Sequence, residues 1–308
     1  MAKDRKKHIR TLFEAIILFL LLVFVIKKLF TFTSYQPYNE KEIDLQTRDN
    51  GFIAISYFGV AREGTETLMS EDMLDAQLKA LYDSGYVTIS QQDILDYYQK
   101  GKKLPKKSLF LMFEDGRRDT VVFAQKVTEK YNYLSTIMTY ANKLEEKDSS
   151  FIQPKDIRSL EKNGYWEFGT NGYRLSYINV YDKNNNYLGQ LTTQEYQKMH
   201  DVLGRDYNHY LMDYIRDENR IPMESYSKMK NRIDSDYDKM EKIYTDQVGK
   251  VPDLYVLMHA NTGRFGENER VSRVNEENIK KMFSMNFNRE SYAVNYLDHS
   301  IYDLTRIQ

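Results

Sequence analysis

The segment from Ser108 to Gly116 constrains the fold most, because it places two carboxylates directly after an apolar strand. Five of its first six residues are aliphatic or aromatic, and Glu114, Asp115 and Gly116 follow them. A short apolar run of this kind is typical of a fully buried strand. An α/β barrel keeps its reactive groups where its strands end, on the C-terminal face. The segment therefore predicts a barrel strand with site residues at its end.

Predicted strands and helices alternate along most of the chain. Strands are expected at Phe52–Tyr57, Val87–Ile89, Ser108–Phe113, Ser135–Thr139, Tyr165–Phe168, Leu254–Met258 and, less regularly, Tyr292–Leu297. Helices are expected from Ser70 to Gly85, and over about Gln91–Gln99, Asp119–Tyr131, Pro154–Asn163 and Asn275–Phe283. Such alternation indicates a parallel sheet or barrel.

The alternation stops between about residues 190 and 250, where apolar residues recur at spacings of three and four. One series runs from Thr193 to about Asp217, and a second runs from Pro222 to Val248. Both series predict amphipathic helices, and a proline at the first helical position supports the second start. The sequence therefore predicts an inserted antiparallel helical hairpin. Its tyrosine stripes would pack in the core or form a docking surface for a partner protein, with His200 and His209 exposed to solvent.

The N-terminus predicts a membrane anchor. Basic residues precede an apolar run at Ala15–Ile26, and the span Leu12–Phe32 contains three charges. A spanning helix needs roughly 20 mostly apolar residues, and lysines near its end can snorkel. No Ala-x-Ala site follows the run, which favours an uncleaved anchor over a cleaved signal peptide. We expect a cytoplasmic tail and transmembrane helix over 1–33, a linker over 34–50, and an extracytoplasmic domain over 51–308.

Composition excludes several classes of function. The chain has 44 basic and 45 acidic residues, so it lacks the basic excess of a nucleic-acid-binding protein. It has no cysteine, which excludes disulfides, thiolate catalysis and cysteine-based zinc sites. A domain outside the cell has no ready supply of ATP or NAD, so cell-surface polymers are the expected ligands.

The strand that ends at Glu114-Asp115-Gly116 resembles the first motif of the polysaccharide deacetylase family, the NodB-homology domain of carbohydrate esterase family 4. That motif usually reads Thr-Phe-Asp-Asp-Gly. The similarity runs from about Phe52 to Tyr177. It includes, in the family's order, Gly85–Ser90, Leu104–Lys107, Ser135–Met138 and Ile157–Gly169. The resemblance implies an irregular (β/α)7-type barrel with its site on the C-terminal face.

The resemblance also implies a zinc-dependent site, and the sequence departs from it. The family's catalytic base falls on Glu114, and its metal-binding aspartate falls on Asp115. The two metal-binding histidines of the second motif fall on Asn171 and Leu175. Asparagine is a poor zinc ligand and leucine cannot bind a metal ion. Asp115 is therefore the one ligand position that remains, and no complete metal site is predicted.

Two further site predictions follow from the resemblance. The strand ending at His259 resembles the segment that supplies the family's general acid, so the predicted catalytic residues are Glu114, Asp115 and His259. The predicted substrate-binding residues are Trp166, Asn171, Tyr173, Arg174 and Asn261. The alternatives are a helix-capping acid pair, a packed hydrogen-bonded histidine, and a tryptophan that packs in the core instead of stacking on a sugar.

Two functions remain open from the sequence, so enzymatic activity is undecided. The first is a membrane-anchored, extracytoplasmic protein of exopolysaccharide or cell-wall glycan production. It would lack the usual zinc catalysis and act by glycan binding or as a scaffold, with the hairpin contacting a glycan-synthesis complex. The alternative is an active carbohydrate deacetylase that removes N- or O-acyl groups at a remodelled site and uses a divalent metal such as zinc. A glycosidase with paired acids lacks an identifiable second carboxylate.

Overall fold

The computed structural model describes residues 15–21, 34–43, 50–204, 208–289 and 292–308. The chain forms two compact units, Met1–Ser34 and Tyr35–Gln308. In the first unit, residues 15–21 are helical. Among the described residues, no helix has the length and apolar character that crossing a membrane requires. The predicted anchor at Leu12–Phe32 lies outside the described residues apart from 15–21, so it stays a prediction.

The second unit is built from short strands and longer helices. Its strands are β1 (Ile53–Tyr57), β2 (Val60–Ala61), β3 (Met69–Ser70), β4 (Val87–Thr88), β5 (Ser108–Phe113), β6 (Ser135–Thr139), β7 (Trp166–Thr170), β8 (Ser176–Tyr181), β9 (Tyr187–Thr192), β10 (Asn208–His209), β11 (Leu254–Asn261), β12 (Met285–Arg289) and β13 (Leu304–Arg306). Its helices are α1 (Glu71–Asp83), α2 (Gln91–Lys100), α3 (Arg118–Tyr131), α4 (Ala141–Glu145), α5 (Pro154–Asn163), α6 (Thr193–Met199), α7 (Tyr226–Gln247) and α8 (Glu269–Met282).

The main sheet is a parallel barrel. Its strand order is β1-β5-β6-β7-β11-β12-β13, and β4 pairs with the start of β5. The two ends of this order meet at Ile307, whose amide donates to the Ala54 carbonyl at 2.9 Å and whose carbonyl accepts from the Ser56 amide at 2.8 Å. The prediction of an α/β barrel is therefore confirmed, and its sheet has eight strands, the seven of this order and β4. The sequence patterns missed the short strands β12 and β13, and Tyr292–Leu297 is not a strand.

Capping residues start the helices where the sequence predicts them. The Ser70 hydroxyl accepts from the Met73 amide at the start of α1. Ser90 and Asp93 form a reciprocal capping box at the start of α2, and Gly101 ends that helix in the left-handed conformation. Each cap satisfies backbone groups that a helix end leaves unpaired. Local sequence signals thus position the helices that surround the barrel.

The first half of the predicted helical hairpin is wrong. Over residues 176–192, β8 and β9 form an antiparallel pair, and β10 adds to the other edge of β8. The helix expected from Thr193 to about Asp217 stops at Met199, whereas α7 confirms the second helix. The physical reason is that Leu211, Met212 and Tyr214 are buried in turns that pack with residues of α7. Apolar spacing alone does not distinguish such turns from a helix.

Part of the predicted linker contacts the barrel. The Tyr35 hydroxyl donates to the Thr88 carbonyl at 3.1 Å, and the Tyr35 ring lies edge-on to Tyr165 at 5.9 Å. The Tyr38 hydroxyl donates to the Asp93 carboxylate at 2.8 Å. These contacts attach the residues before β1 to the end of β4 and the start of α2.

Candidate functional site

The C-terminal ends of the barrel strands bring distant residues to one mouth of the barrel. Glu114 and Asp115 follow β5, Asn171 follows β7, His259 lies near the end of β11 and Arg306 ends β13. Parallel strands of a barrel end on the same face, so these side chains collect there. Two of the predicted catalytic residues, Glu114 and Asp115, are buried at this mouth.

The Glu114 carboxylate is buried and surrounded by donors. Arg306 donates to it from Nε and, at 3.2 Å, from Nη2. The Ser56 hydroxyl also donates to it, and the Gln308 amide donates to both oxygens at 3.3 Å. Burial alone would raise the pKa of Glu114, but the charge of Arg306 and these hydrogen bonds outweigh it and hold the pKa below its usual value. A carboxylate held in this way is a weak base, which favours a structural role.

Asp115 lies beside Glu114 in a different environment. Its Oδ1 accepts from the Arg117 amide at 3.0 Å, and its Oδ2 accepts from the Thr120 hydroxyl at 2.7 Å. Arg117 directly precedes α3 and Thr120 lies in its first turn, but neither bond reaches an amide of the helix itself, so Asp115 does not cap α3 as the helix-capping alternative predicts. A Cβ atom at Gly59 would lie 2.0 Å from Oδ2, so glycine is required there. Burial raises the pKa of Asp115 to about 6, although the Thr120 and Arg117 hydrogen bonds oppose the rise.

The residues at the family's zinc position do not fit a zinc ion. The Asn171 side chain is buried, and its Nδ2 donates to the Glu114 carbonyl at 2.7 Å. Leu175 packs with apolar residues. Zinc sites in proteins use imidazole, thiolate and carboxylate donors. Asp115 is a donor of that kind, but an amide held by the backbone and an alkyl side chain are not. No group of three or more His, Asp or Glu side chains with metal-binding geometry occurs among the described residues.

His259 lies near the mouth in a strained conformation, with a φ of 66°. Its ring centroid lies 5.7 Å from Tyr177 and 6.4 Å from His209. Burial lowers the pKa of His259 to about 4, and the positive charges of Arg289 and Arg306 add to this effect. The imidazole is therefore neutral at pH 7, which does not suit a general acid. The ring packs as the packed-histidine alternative predicts, but among the described residues its buried Nε2 has no hydrogen-bond partner, so the hydrogen-bonded part of that alternative is not met.

The expectation that His209 is exposed to solvent is wrong, whereas His200 is exposed as predicted. His209 lies in β10, which pairs with β8, and its ring is buried beside that of His259. Its Nε2 lies 3.2 Å from the Arg174 carbonyl. Burial, followed by the neighbouring His259, lowers the pKa of His209 to about 3. Burial in a strand instead of placement on a helix surface explains the difference.

Trp166 is not placed to bind a substrate. It begins β7 at the opposite end of the strand from Asn171, and it is 2% exposed. Its ring centroid lies 5.8 Å from Phe113 in the core. The packing alternative therefore describes Trp166, because the strand points its N-terminal residues away from the mouth.

The other predicted binding residues are divided between the site and its surroundings. Arg174 lines a cleft next to Asp115, and its guanidinium lies over the rings of Tyr173 and Tyr210. The Tyr173 hydroxyl bonds Glu145 and Lys239 instead of facing this cleft. Asn261 is exposed at the end of β11 and does not line the cleft.

The cleft beside Asp115 has a volume of about 390 Å³. Its lining includes aromatic, amide and charged side chains. Among them are Phe58, Asp115, Lys143, Arg174, Gln190, Gln194 and Gln197. Ser56, Arg306 and Gln308 at the mouth were not found from the sequence. Arg306 is 192 residues from Glu114 along the chain, and no local pattern connects the two.

Comparisons with known proteins agree with this geometry. No protein-family model matches the sequence. The chain is 25% identical over 134 residues to Poly-beta-1,6-N-acetyl-D-glucosamine N-deacetylase of Staphylococcus aureus, an alignment that covers 42% of this chain and 45% of that protein. The match thus spans less than half the length of this curated relative.

Solved structures share the fold over a larger part of the chain. A de-N-acetylase from Aggregatibacter actinomycetemcomitans superposes with a TM-score of 0.63 at 18% identity, covering 83% of this chain and 94% of that one. The BpsB deacetylase domain from Bordetella bronchiseptica gives a TM-score of 0.60 at 13% identity, covering 84% and 97%. At these identities the likeness is one of fold.

Proposed function

Because this chain carries a polysaccharide deacetylase family domain, we propose that it binds a surface glycan without zinc-dependent catalysis. The observation that carries the proposal is the donor set at the metal position. Asp115 is held at the start of α3, the Asn171 amide is held by the Glu114 carbonyl, and Leu175 is apolar. An open cleft of about 390 Å³ remains beside these residues to hold a ligand.

The proposed role lies in exopolysaccharide or cell-wall glycan production outside the cell. The basic residues before Ala15–Ile26 and the length of Leu12–Phe32 support a single membrane anchor with a cytoplasmic N-terminus. A domain held at the membrane would meet the polymer as it emerges, and would act as a binding subunit or scaffold. The curated relative's name specifies poly-β-1,6-N-acetyl-D-glucosamine, so this polymer is the first ligand to test.

One observation favours the alternative, an active carbohydrate deacetylase with a remodelled site. The pKa of Asp115 is raised to about 6 by burial, and the residue lines the cleft. A carboxyl group that titrates near neutral pH in a cleft is a candidate for proton transfer. Glu114 and His259 do not support this reading, because the pKa of each is lowered.

The test combines metal content, glycan binding and acetyl release on the purified chain of 308 residues. The protein is purified without chelators, supplied with zinc and dialysed before elemental analysis. Binding of β-1,6-linked N-acetylglucosamine oligomers is measured by calorimetry, and released acetate is assayed on the same oligomers. We expect binding, no stoichiometric zinc and no acetate.

A variant pair distinguishes the alternative. Asp115→Asn removes the carboxylate in the cleft, and Asp119→Asn is a matched control at an exposed position in the first turn of α3. One zinc ion per chain together with acetate release, both lost in Asp115→Asn and retained in Asp119→Asn, would establish the active deacetylase. Absence of binding to any glycan would contradict the proposed function.

A further inference from the structure

We propose that a glutamine wall, formed by Gln190, Gln194 and Gln197, and the exposed ring of Phe58 bind the sugar rings of the glycan. All four residues line the cleft beside Asp115. The inference rests on the proposed function and deepens it, because it assigns the binding residues and the chemical character of the ligand. The proposed ligand is an uncharged glycan chain.

The glutamine wall offers free hydrogen-bonding groups on one side of the cleft. Gln190 lies in β9, and Gln194 and Gln197 lie three residues apart on α6, where they share a face. All three side chains are exposed, and none makes a hydrogen bond within the described part of the chain. A primary amide both donates and accepts. That capacity matches sugar hydroxyl and acetamido groups, which also do both.

Local contacts hold the glutamine wall in place. Thr192 and Glu195 form a capping box that fixes the turn from β9 into α6. Tyr196 of α6 stacks on Tyr177 of β8, with ring centroids 4.1 Å apart. Leu191 is buried with Tyr177. A wall that is already ordered loses little conformational freedom when it binds a ligand, which favours affinity.

Phe58 supplies the apolar surface that a sugar ring needs. It follows β1, is 43% exposed and lines the cleft. Its neighbour Gly59 contacts Asp115, since a Cβ atom at that position would lie 2.0 Å from Oδ2. The backbone contact fixes Phe58 next to the strand ends. An exposed aromatic ring can stack on the apolar face of a pyranose, and Trp166, which is buried, cannot do so.

The charges of the cleft favour an uncharged ligand. Two of its cations are already neutralised by carboxylates. The ion pairs are Lys143–Glu146 at 3.0 Å, Lys143–Asp148 at 3.6 Å and Arg117–Asp119 at 3.5 Å. Arg174 and Asp115 also line the cleft, and neither makes a salt bridge within the described ranges. Together these groups are three cations and four carboxylates, which provide no net attraction for a polyanion, whereas amides bind neutral polar groups.

The test measures binding of β-1,6-linked N-acetylglucosamine oligomers to the purified chain and its variants by calorimetry. The double variant Gln194→Ala with Gln197→Ala should weaken binding by roughly tenfold, because it loses one or two net hydrogen bonds. The single variant Phe58→Ala should also weaken binding by roughly tenfold, because it loses one stacking contact. Phe58→Tyr should retain wild-type affinity because it keeps the ring. Gln92→Ala is the matched control, since Gln92 bonds Asp96 and lies outside the cleft. Circular dichroism verifies that each variant is folded.

The outcomes separate this inference from the function on which it rests. If the wild type binds the oligomers and the glutamine and Phe58→Ala variants bind as tightly, the wall is not the binding surface, although the function stands. Tighter binding of alginate, a polyuronate, than of the neutral oligomers overturns the proposed ligand class. If the wild type binds no glycan, both proposals fail.

Discussion

At the scale of single residues, burial decides what a charged side chain does. Glu114 and Asp115 are adjacent, yet their pKa values move in opposite directions. The pKa of Asp115 rises because burial dominates, whereas the pKa of Glu114 falls because Arg306 and the donors Ser56 and Gln308 outweigh burial. Motif position predicts that Glu114 is a base, but its partner determines how strongly it holds a proton.

Removing one member of the buried Glu114–Arg306 pair should destabilise the protein strongly. Both side chains are at most 1% exposed, so Arg306→Met leaves a carboxylate without its counter-charge. We expect the free energy of unfolding to fall by about 3–5 kcal/mol. Urea denaturation measures the change. The double variant Glu114→Gln with Arg306→Met should recover part of the loss.

An exposed ion pair is the control for this prediction. Lys79 and Asp83 on α1 pair at the surface with more than half of each side chain exposed. Lys79→Met should leave the urea midpoint nearly unchanged, because solvent and salt screen such pairs. Equal midpoints for Arg306→Met and the wild type would contradict a structural role for the buried pair.

At the scale of elements, apolar spacing predicts burial better than it predicts conformation. The spacing over Pro222–Val248 corresponds to α7, which buries Met229, Ile233 and Met240 against the core. The similar spacing over Thr193–Asp217 corresponds to a short helix, a strand and turns. Residues of both series are buried, but a strand pairing with β8 replaced the first helix. Pairing partners outside the segment decided its conformation.

Two methionines on either side of the start of α7 test the packing. Met240 is a residue of α7 and is fully buried against the core, whereas Met223 lies just before the helix and is 67% exposed. Met240→Ala should lower the free energy of unfolding by about 2–5 kcal/mol through lost burial and the cavity it leaves. Met223→Ala should change it by less than about 0.5 kcal/mol. Similar urea midpoints for both variants would show that α7 does not pack as described.

At the scale of the whole molecule, the barrel could be predicted, but its closure could not. Alternating strands and helices indicated a parallel barrel, and β1, β5, β6, β7 and β11 lie close to the expected positions. The closing strand β13 has three residues, and β12 carries buried asparagines, Asn286 and Asn288, at positions where a buried strand usually has apolar residues. Both bond partners inside the protein, which compensates their burial.

The boundary of the folded unit can be tested with two fragments. Residues 35–308 form a compact unit, and Tyr35 and Tyr38 contact the barrel. We expect fragment 35–308 to melt as one transition near the melting temperature of the full chain. Fragment 51–308 should melt at a lower temperature, because it loses both tyrosine contacts. Identical melting of the two fragments by circular dichroism would show that the residues before β1 are a linker throughout.

Features that depend on local pattern and side-chain chemistry could be predicted from the sequence. These are the alternating elements, the carboxylates at the end of β5, and the poor zinc donors Asn171 and Leu175. The ion pair of Arg306 with Glu114 and the burial of His209 could be seen only in the folded chain. Those outcomes depend on contacts between residues far apart in the chain, and such contacts form only when the barrel closes.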